Sequence, residues 1–297
     1  MNALQSLLAS EKPILLDGAM GTMLMEAGLE SGDPPEEWNV LHPDRVRRVH
    51  RAYIEAGAQI ILTNSFGGTA PRLAMHSLED RVVELNRAAA ELARAEADRG
   101  PHTVLVAGSM GPTGRMLQPV GDMTFQEARQ AFADQAAGLA AGGVDLFWIE
   151  TMSDLEEVKA AVAGIRSVSE GPISATMSFD THGHTMMGIS PAQAVEQLTA
   201  LDLDLVGANC GTGSDELIEA IQAMREVNPD VPLVAKANAG VPQVVDGDVV
   251  YNGTPGVMAE YAVEVYHRGA DLIGGCCGNT PEHVRAMADA LADLERE

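Results

Sequence analysis

Short apolar runs recur along the chain with longer amphipathic stretches between them. The runs at 13–16, 59–63, 103–107, 145–149, 173–177, 205–208, 233–235 and 272–274 have the length of buried strands. The stretches at 43–56, 79–98, 124–141, 155–168, 191–201, 214–227, 255–268 and 281–294 place apolar residues at helical spacing. Several open with helix-start chemistry: Pro191 and Pro281 at first-turn positions, Ser214 ahead of Asp215 and Glu216, and Thr124 three residues before Glu127. Strand–helix alternation predicts a parallel sheet. Eight such units without a low-complexity linker predict one α/β domain over residues 1–297, a closed (β/α)8 or TIM barrel. The competing open, doubly wound sheet needs a phosphate-binding glycine fingerprint after its first strand. Asp17-Gly18-Ala19-Met20-Gly21-Thr22 stands there instead, with different spacing and an acid at its head.

A barrel of this kind gathers functional residues at the C-terminal ends of its strands. Those positions hold Asp17, Asn64, Ser109, Glu150, Ser178, Cys210, Asn238 and the pair Cys276-Cys277. The set is polar, carries two carboxylates and contains every cysteine of the chain, 3 in 297 residues. Gly207-Ala208-Asn209-Cys210-Gly211 and Gly274-Gly275-Cys276-Cys277-Gly278 each mark where an apolar run gives way to a glycine-rich turn. Three thiolates at two strand ends make a soft-metal site, with zinc (Zn2+) the favoured ion, and three protein ligands are the count of catalytic zinc. Two blander readings stand beside it: a strained vicinal disulfide, or small residues packed in a core. Asp17 and Glu150 taken singly read equally well as helix N-caps, and Asn64 and Ser178 as turn residues. His182 and His184 fall in an expected exposed turn with Gly183 and Thr185, and no histidine metal signature is present.

Charge narrows the partners. Asp and Glu number 43 against 19 Lys and Arg, a formal net charge of -24, which argues against nucleic acid and anionic membranes. No apolar run approaches the ~20 residues needed to span a bilayer, and the first residues show no basic leader with a cleavage site. A soluble, cytoplasmic protein is the expectation, and the sequence leaves a homo-oligomer open.

The same motifs resemble the zinc-dependent homocysteine S-methyltransferases. That family includes betaine–homocysteine methyltransferases, S-methylmethionine-dependent enzymes and the homocysteine module of cobalamin-dependent methionine synthase. The likeness rests on Leu16-Asp17-Gly18-Ala19-Met20-Gly21-Thr22, Thr63-Asn64-Ser65-Phe66-Gly67-Gly68, Gly108-Ser109-Met110-Gly111-Pro112-Thr113-Gly114, Glu150-Thr151 and the two cysteine segments, and runs from about Ile14 to Val284. It implies a (β/α)8 barrel and zinc held by Cys210, Cys276 and Cys277, which are then also the catalytic residues, with homocysteine thiolate in the open position. It further implies that Asp17 and Glu150 hold the homocysteine ammonium, that the Gly18 and Ala19 amides face its carboxylate, and that Asn209 belongs to the substrate-binding set. Metal coordination would deprotonate a thiol whose free pKa is ~8.5, giving a nucleophile without a separate base.

For the methyl donor, the wording resembles short bacterial betaine–homocysteine enzymes, which implies betaine or a related onium compound. Trp38, in an expected loop, and Phe66 are the aromatic candidates for a cation–π contact with it. Two tyrosines of the animal betaine enzyme's donor site stand here as Gly67 and Thr151, with Tyr251 a further aromatic candidate. The alternative is a homocysteine-binding methyltransferase subunit that takes its methyl group from a separate methyl-corrinoid or folate protein.

Overall fold

In the computed structural model, which describes residues 2–10, 13–245, 248–292 and 294, every expected apolar run contributes a strand. The order is α1 (Ala3–Ser10), β1 (Ile14–Leu15), α2 (Met20–Glu26), α3 (Trp38–Leu41), α4 (Pro43–Glu55), β2 (Ile60–Leu62), α5 (Ala70–Leu73), α6 (Val82–Ala97), β3 (Leu105–Met110) and α7 (Phe125–Ala141). It continues with β4 (Leu146–Met152), α8 (Leu155–Arg166), β5 (Ile173–Met177), α9 (Pro191–Thr199), β6 (Leu205–Cys210), α10 (Ser214–Val227) and β7 (Leu233–Ala237). The hairpin strands β8 (Pro242–Val245) and β9 (Asp248–Tyr251), then α11 (Pro255–His267), β10 (Leu272–Gly275) and α12 (Pro281–Ala292), complete it. Residue 293 of the expected last helix lies outside the described residues.

Eight strands pair in the order β1-β10-β7-β6-β5-β4-β3-β2, all in parallel, while β8 and β9 form a separate antiparallel pair. The ring is closed by a parallel bridge between Leu16 and Ile60, with the Gln59 amide donating to the Leu15 carbonyl at 2.8 Å. This is the single (β/α)8 domain. Capping boxes start α7 at Thr124 and α9 at Ser190, where side chain and backbone satisfy each other's free groups.

Side-chain alternation splits each strand into an inward and an outward set. Ile14, Leu16, Ile60, Leu62, Leu105, Ala107, Leu146, Trp148, Leu205, Val234 and Leu272 form one cluster, the filling of the barrel. Leu4 and Leu7 of α1 join it, so that helix stoppers the end where the strands begin. Their strand neighbours, such as Val106, Phe147, Ile149, Val206 and Ala235, pack into the larger cluster shared with the helices. Five strands extend past their expected ends, and the extra residues include Ser109, Glu150, Asn209 and Lys236. Neither α1 nor the hairpin is foreseen in the sequence reading. Among the described residues no helix is long and apolar enough to cross a membrane.

Candidate functional site

The alternation that fills the barrel also builds its polar end. Two residues beyond inward-facing Ala107, Trp148 and Val234 come Ser109, Glu150 and Lys236, all buried. Ser109 Oγ donates to Glu150 Oε1 at 2.5 Å. Lys236 Nζ donates to Asp17 Oδ1 at 2.8 Å, and the Leu62 amide donates to Asp17 Oδ2 at 2.6 Å. Burial pushes the Asp17 and Glu150 carboxyls up, and the Lys236 charge works against it. Burial would likewise lower the lysine, but the two acids outweigh it and hold the ammonium above its usual range. Asp17 and Lys236 therefore form a buried ion pair, with Glu150 as an additional acid beside it.

Local backbone strain aims the sulfurs. Cys210 ends β6 at φ 60°, a left-handed conformation rare outside glycine, and Gly278 follows the cysteine pair at φ 79°, where the Tyr251 ring fills the space of any side chain. Asn238 ties the two segments together: its Nδ2 donates to the Gly211 carbonyl at 2.9 Å and its Oδ1 accepts from the Cys277 amide at 3.1 Å. The three sulfurs lie within 4.8 Å of one another, and all three thiols are free. Cys210 and Cys276 sulfurs stand 2.7 Å apart, beyond the ~2.05 Å of a disulfide bond. Neither blander reading holds, since the cysteines are unpaired and half-buried against a cavity rather than sealed in a core. Hydrogen bonds from the Cys210 and Cys276 thiols, with a further one from the Tyr251 hydroxyl, favour the thiolate at Cys277.

Beneath the sulfurs sits Asn209. Its Oδ1 accepts from the Thr151 amide at 2.8 Å and from Thr176 Oγ1 at 2.6 Å. Its Nδ2 donates to Thr151 Oγ1 at 2.7 Å and lies 3.6 and 3.8 Å from the sulfurs of Cys210 and Cys276. Thr151 itself is held at φ 61° where the β4–β5 register shifts between Ile149 and Met152. A β-branched residue pays strain there, and such strain gathers at functional sites.

One cavity of about 570 Å³ collects these groups, a volume typical of small-molecule sites. Asp17, Gly18, Ala19, Asn64, Ser109, Glu150, Lys236 and the three cysteines line it, as do Phe66, Arg72, Met75 and His76 toward solvent. Glu36 adds a further carboxylate to the lining; it is buried, accepts from the Gly67 amide at 2.6 Å, and burial pushes its carboxyl up.

Several expected placements change. Trp38 is 6% exposed, packed edge-on against His42 and under the Arg45 guanidinium, and it does not line the cavity. The segment after Pro34 folds into a short 3-10 turn and α3, which turn the indole into the core. The Ala19 amide donates to the Asn279 carbonyl at 3.0 Å and is not free for a substrate carboxylate. Asp17 does line the cavity, and each of its oxygens also accepts one hydrogen bond inside the protein. Asn209 supports the sulfurs and Thr151 from outside the cavity lining, and Ser178 is buried away from it. His182 and His184 lie in an exposed turn, as expected.

Lys236 and Glu36 are absent from the sequence reading. Lys236 has a legible signal: in Leu233-Val234-Ala235-Lys236-Ala237 it takes the inward phase of an otherwise apolar strand, and it is one of three lysines in the chain. Glu36 has none, since an acid after Pro34-Pro35 reads as a solvated turn.

A sequence profile of homocysteine S-methyltransferases matches residues 14–291. The methionine synthase of Mycobacterium tuberculosis is 33% identical over 302 residues, covering 97% of this chain and 25% of that protein. The methionine synthase of Mycobacterium leprae is 33% identical over 298 residues, covering 95% of this chain and 24% of that protein. The chain thus spans about a quarter of the length of these curated relatives. The metallated form of the homocysteine methyltransferase MmuM from Escherichia coli has a TM-score of 0.82 at 27% identity, covering 97% of this chain and 99% of that one. Its apo form has a TM-score of 0.77 at 26% identity, covering 97% and 100%.

Proposed function

The chain belongs to the homocysteine S-methyltransferase family, and from that premise we propose that it forms methionine by transferring a methyl group from betaine or a related onium donor to the sulfur of homocysteine. The observation that carries the reading is the meeting, in one cavity, of three free cysteine sulfurs and a charged Asp17–Lys236–Glu150 cluster able to hold an amino acid.

The donor set fits zinc. Three sulfurs within 4.8 Å, two of them beside the Asn209 amide, suit a thiophilic ion, and their number leaves a position for substrate. A metallated form of the E. coli relative is in keeping with this. Zinc held by Cys210, Cys276 and Cys277 supplies Lewis acidity that lets a thiol be used as thiolate near neutral pH.

The protein's own groups do the positioning. Glu150, oriented by Ser109, presents its charge to the amino-acid substrate, and Asn209 and Asn238 hold the cysteine segments. Methyl transfer between two bound reactants gains chiefly from alignment, which the shared cavity supports. With Trp38 turned away, Phe66 is the aromatic of the lining available to an onium methyl group, and the Glu36 carboxylate adds a matching charge.

A second reading follows from the relatives: a chain equivalent to a quarter of methionine synthase could take its methyl group from a separate corrinoid or folate protein. A donor screen with zinc-replete protein and homocysteine separates the two. Methionine should form from betaine, S-methylmethionine or a dimethylated sulfonium compound. Formation from methylcobalamin or methyltetrahydrofolate alone, or no turnover with any small donor, refutes the first reading and favours the second.

A further inference from the structure

Lys236 is 2% exposed and yet contributes to the cavity wall. An ammonium is costly to bury unless it is paired, and it carries three donors. Asp17 Oδ1 takes one of them, and no other hydrogen bond from Nζ is made among the described residues. Asp17, in turn, already accepts a bond at each oxygen, from Lys236 and from the Leu62 amide. The Ala19 amide is spent on the Asn279 carbonyl. Glu150 is less committed, with Ser109 on Oε1 and no hydrogen bond to Oε2 among the described residues.

From this arrangement we propose that Lys236 binds the α-carboxylate of homocysteine and Glu150 its α-ammonium, with Asp17 holding the lysine in position. The inference rests on the homocysteine reading above. Two acids without a cation would attract the ammonium and repel the carboxylate of a zwitterion. A lysine beside them gives the site two unlike poles, so an amino acid enters in one orientation. Its side-chain thiol is then directed toward the cysteines in the same cavity.

The test compares two probes by calorimetry on zinc-loaded protein: L-homocysteine, and 3-aminopropane-1-thiol, which is the same molecule without the carboxylate. Lys236→Met is measured alone and combined with Asp17→Asn; the double variant removes both members of the ion pair, leaves Glu150 in place and keeps an acceptor for the Leu62 amide. Homocysteine should bind roughly 10–100-fold more weakly in both variants, as expected for loss of a charged contact, while the aminothiol changes less than about 3-fold. Zinc content and circular dichroism should match the wild type. Equal weakening of both probes, or no weakening of homocysteine, overturns the assignment and leaves Lys236 as a structural partner of Asp17. The wild-type comparison does not depend on either variant folding: equal affinity for the two probes would also overturn it. A wild-type protein that binds neither thiol would refute the homocysteine reading itself, whereas one that binds homocysteine and tolerates the lysine change refutes the Lys236 role alone.

Discussion

Asn209→Ala should loosen zinc without touching any ligand atom. The amide makes three short hydrogen bonds, to the Thr151 amide, the Thr151 hydroxyl and the Thr176 hydroxyl, and stands 3.6 and 3.8 Å from two sulfurs. Both threonine hydroxyls can rotate to other partners, but the Thr151 amide cannot move without altering a residue held at φ 61°. One buried donor left without a partner costs about 1–3 kcal/mol of stability. Loss of groups that orient metal ligands typically lowers metal affinity 10–100-fold, which is about 1.4–2.8 kcal/mol. The two effects can be separated, because zinc that binds only the folded chain adds its affinity to the unfolding free energy. Urea unfolding of the metal-free protein therefore reads the first, and the extra loss in zinc-loaded protein reads the second. Competition with a chelator at a temperature where circular dichroism is native gives the affinity directly. A zinc dissociation constant within about twofold of wild type would refute the assignment of Asn209 to the sulfurs, whatever happened to stability.

Two further changes probe charge. Glu150→Gln keeps an acceptor for Ser109 but removes the free charge, so homocysteine should bind about 10–100-fold more weakly while 4-mercaptobutanoate, which has no amine, is unaffected; equal weakening of both would mean a damaged cavity and not a lost ammonium contact. His50 in α4 is fully buried and both its ring nitrogens lack partners among the described residues; burial lowers its pKa to about 4, with Glu96 opposing the shift. The unfolded chain takes up this proton near pH 6.5 and the folded protein only near 4, so stability falls as pH drops through that window, by about 3 kcal/mol in all. His50→Leu should flatten that part of the curve, and parallel stability–pH curves for the two proteins would refute the assignment.

The strands were legible, but not where they end. Apolar content stops at Ala107, Ile149, Ala208 and Ala235, and a reading based on it stops there too, while β3, β4, β6 and β7 continue for two or three residues. The pattern changes because the barrel interior changes from packed filling to a polar chamber, so the residues that look like loop are the last inward positions of the wall. Ser109 and Glu150 were nonetheless recoverable as strand-end polar residues, and the cysteines stood out by scarcity. Lys236 is hard to read because a cation in an apolar run looks like the run's end, although it keeps the period-two phase. Trp38 is hard to place for a different reason. Prolines at 34 and 35 suggest an open loop, yet Pro35 opens a 3-10 turn that leads into α3 and carries the indole inward. Helix α1 has only 8 residues, too short for its periodicity to stand out before its partners in the barrel are known.

Strand β10 is the last barrel strand in chain order, and it slots between β7 and β1 with a neighbour on each side. Cys210 ends β6 whereas Cys276 and Cys277 come with β10, and without β10 the other seven barrel strands would form an open sheet with β1 and β7 at its edges. Only when β10 arrives does the ring close, and that step also delivers Cys276 and Cys277 beside Cys210. The cysteine trio is thus a property of the closed ring: a barrel without β10 in place would leave Cys210 without its two partners, so a metal site built on all three would report on closure.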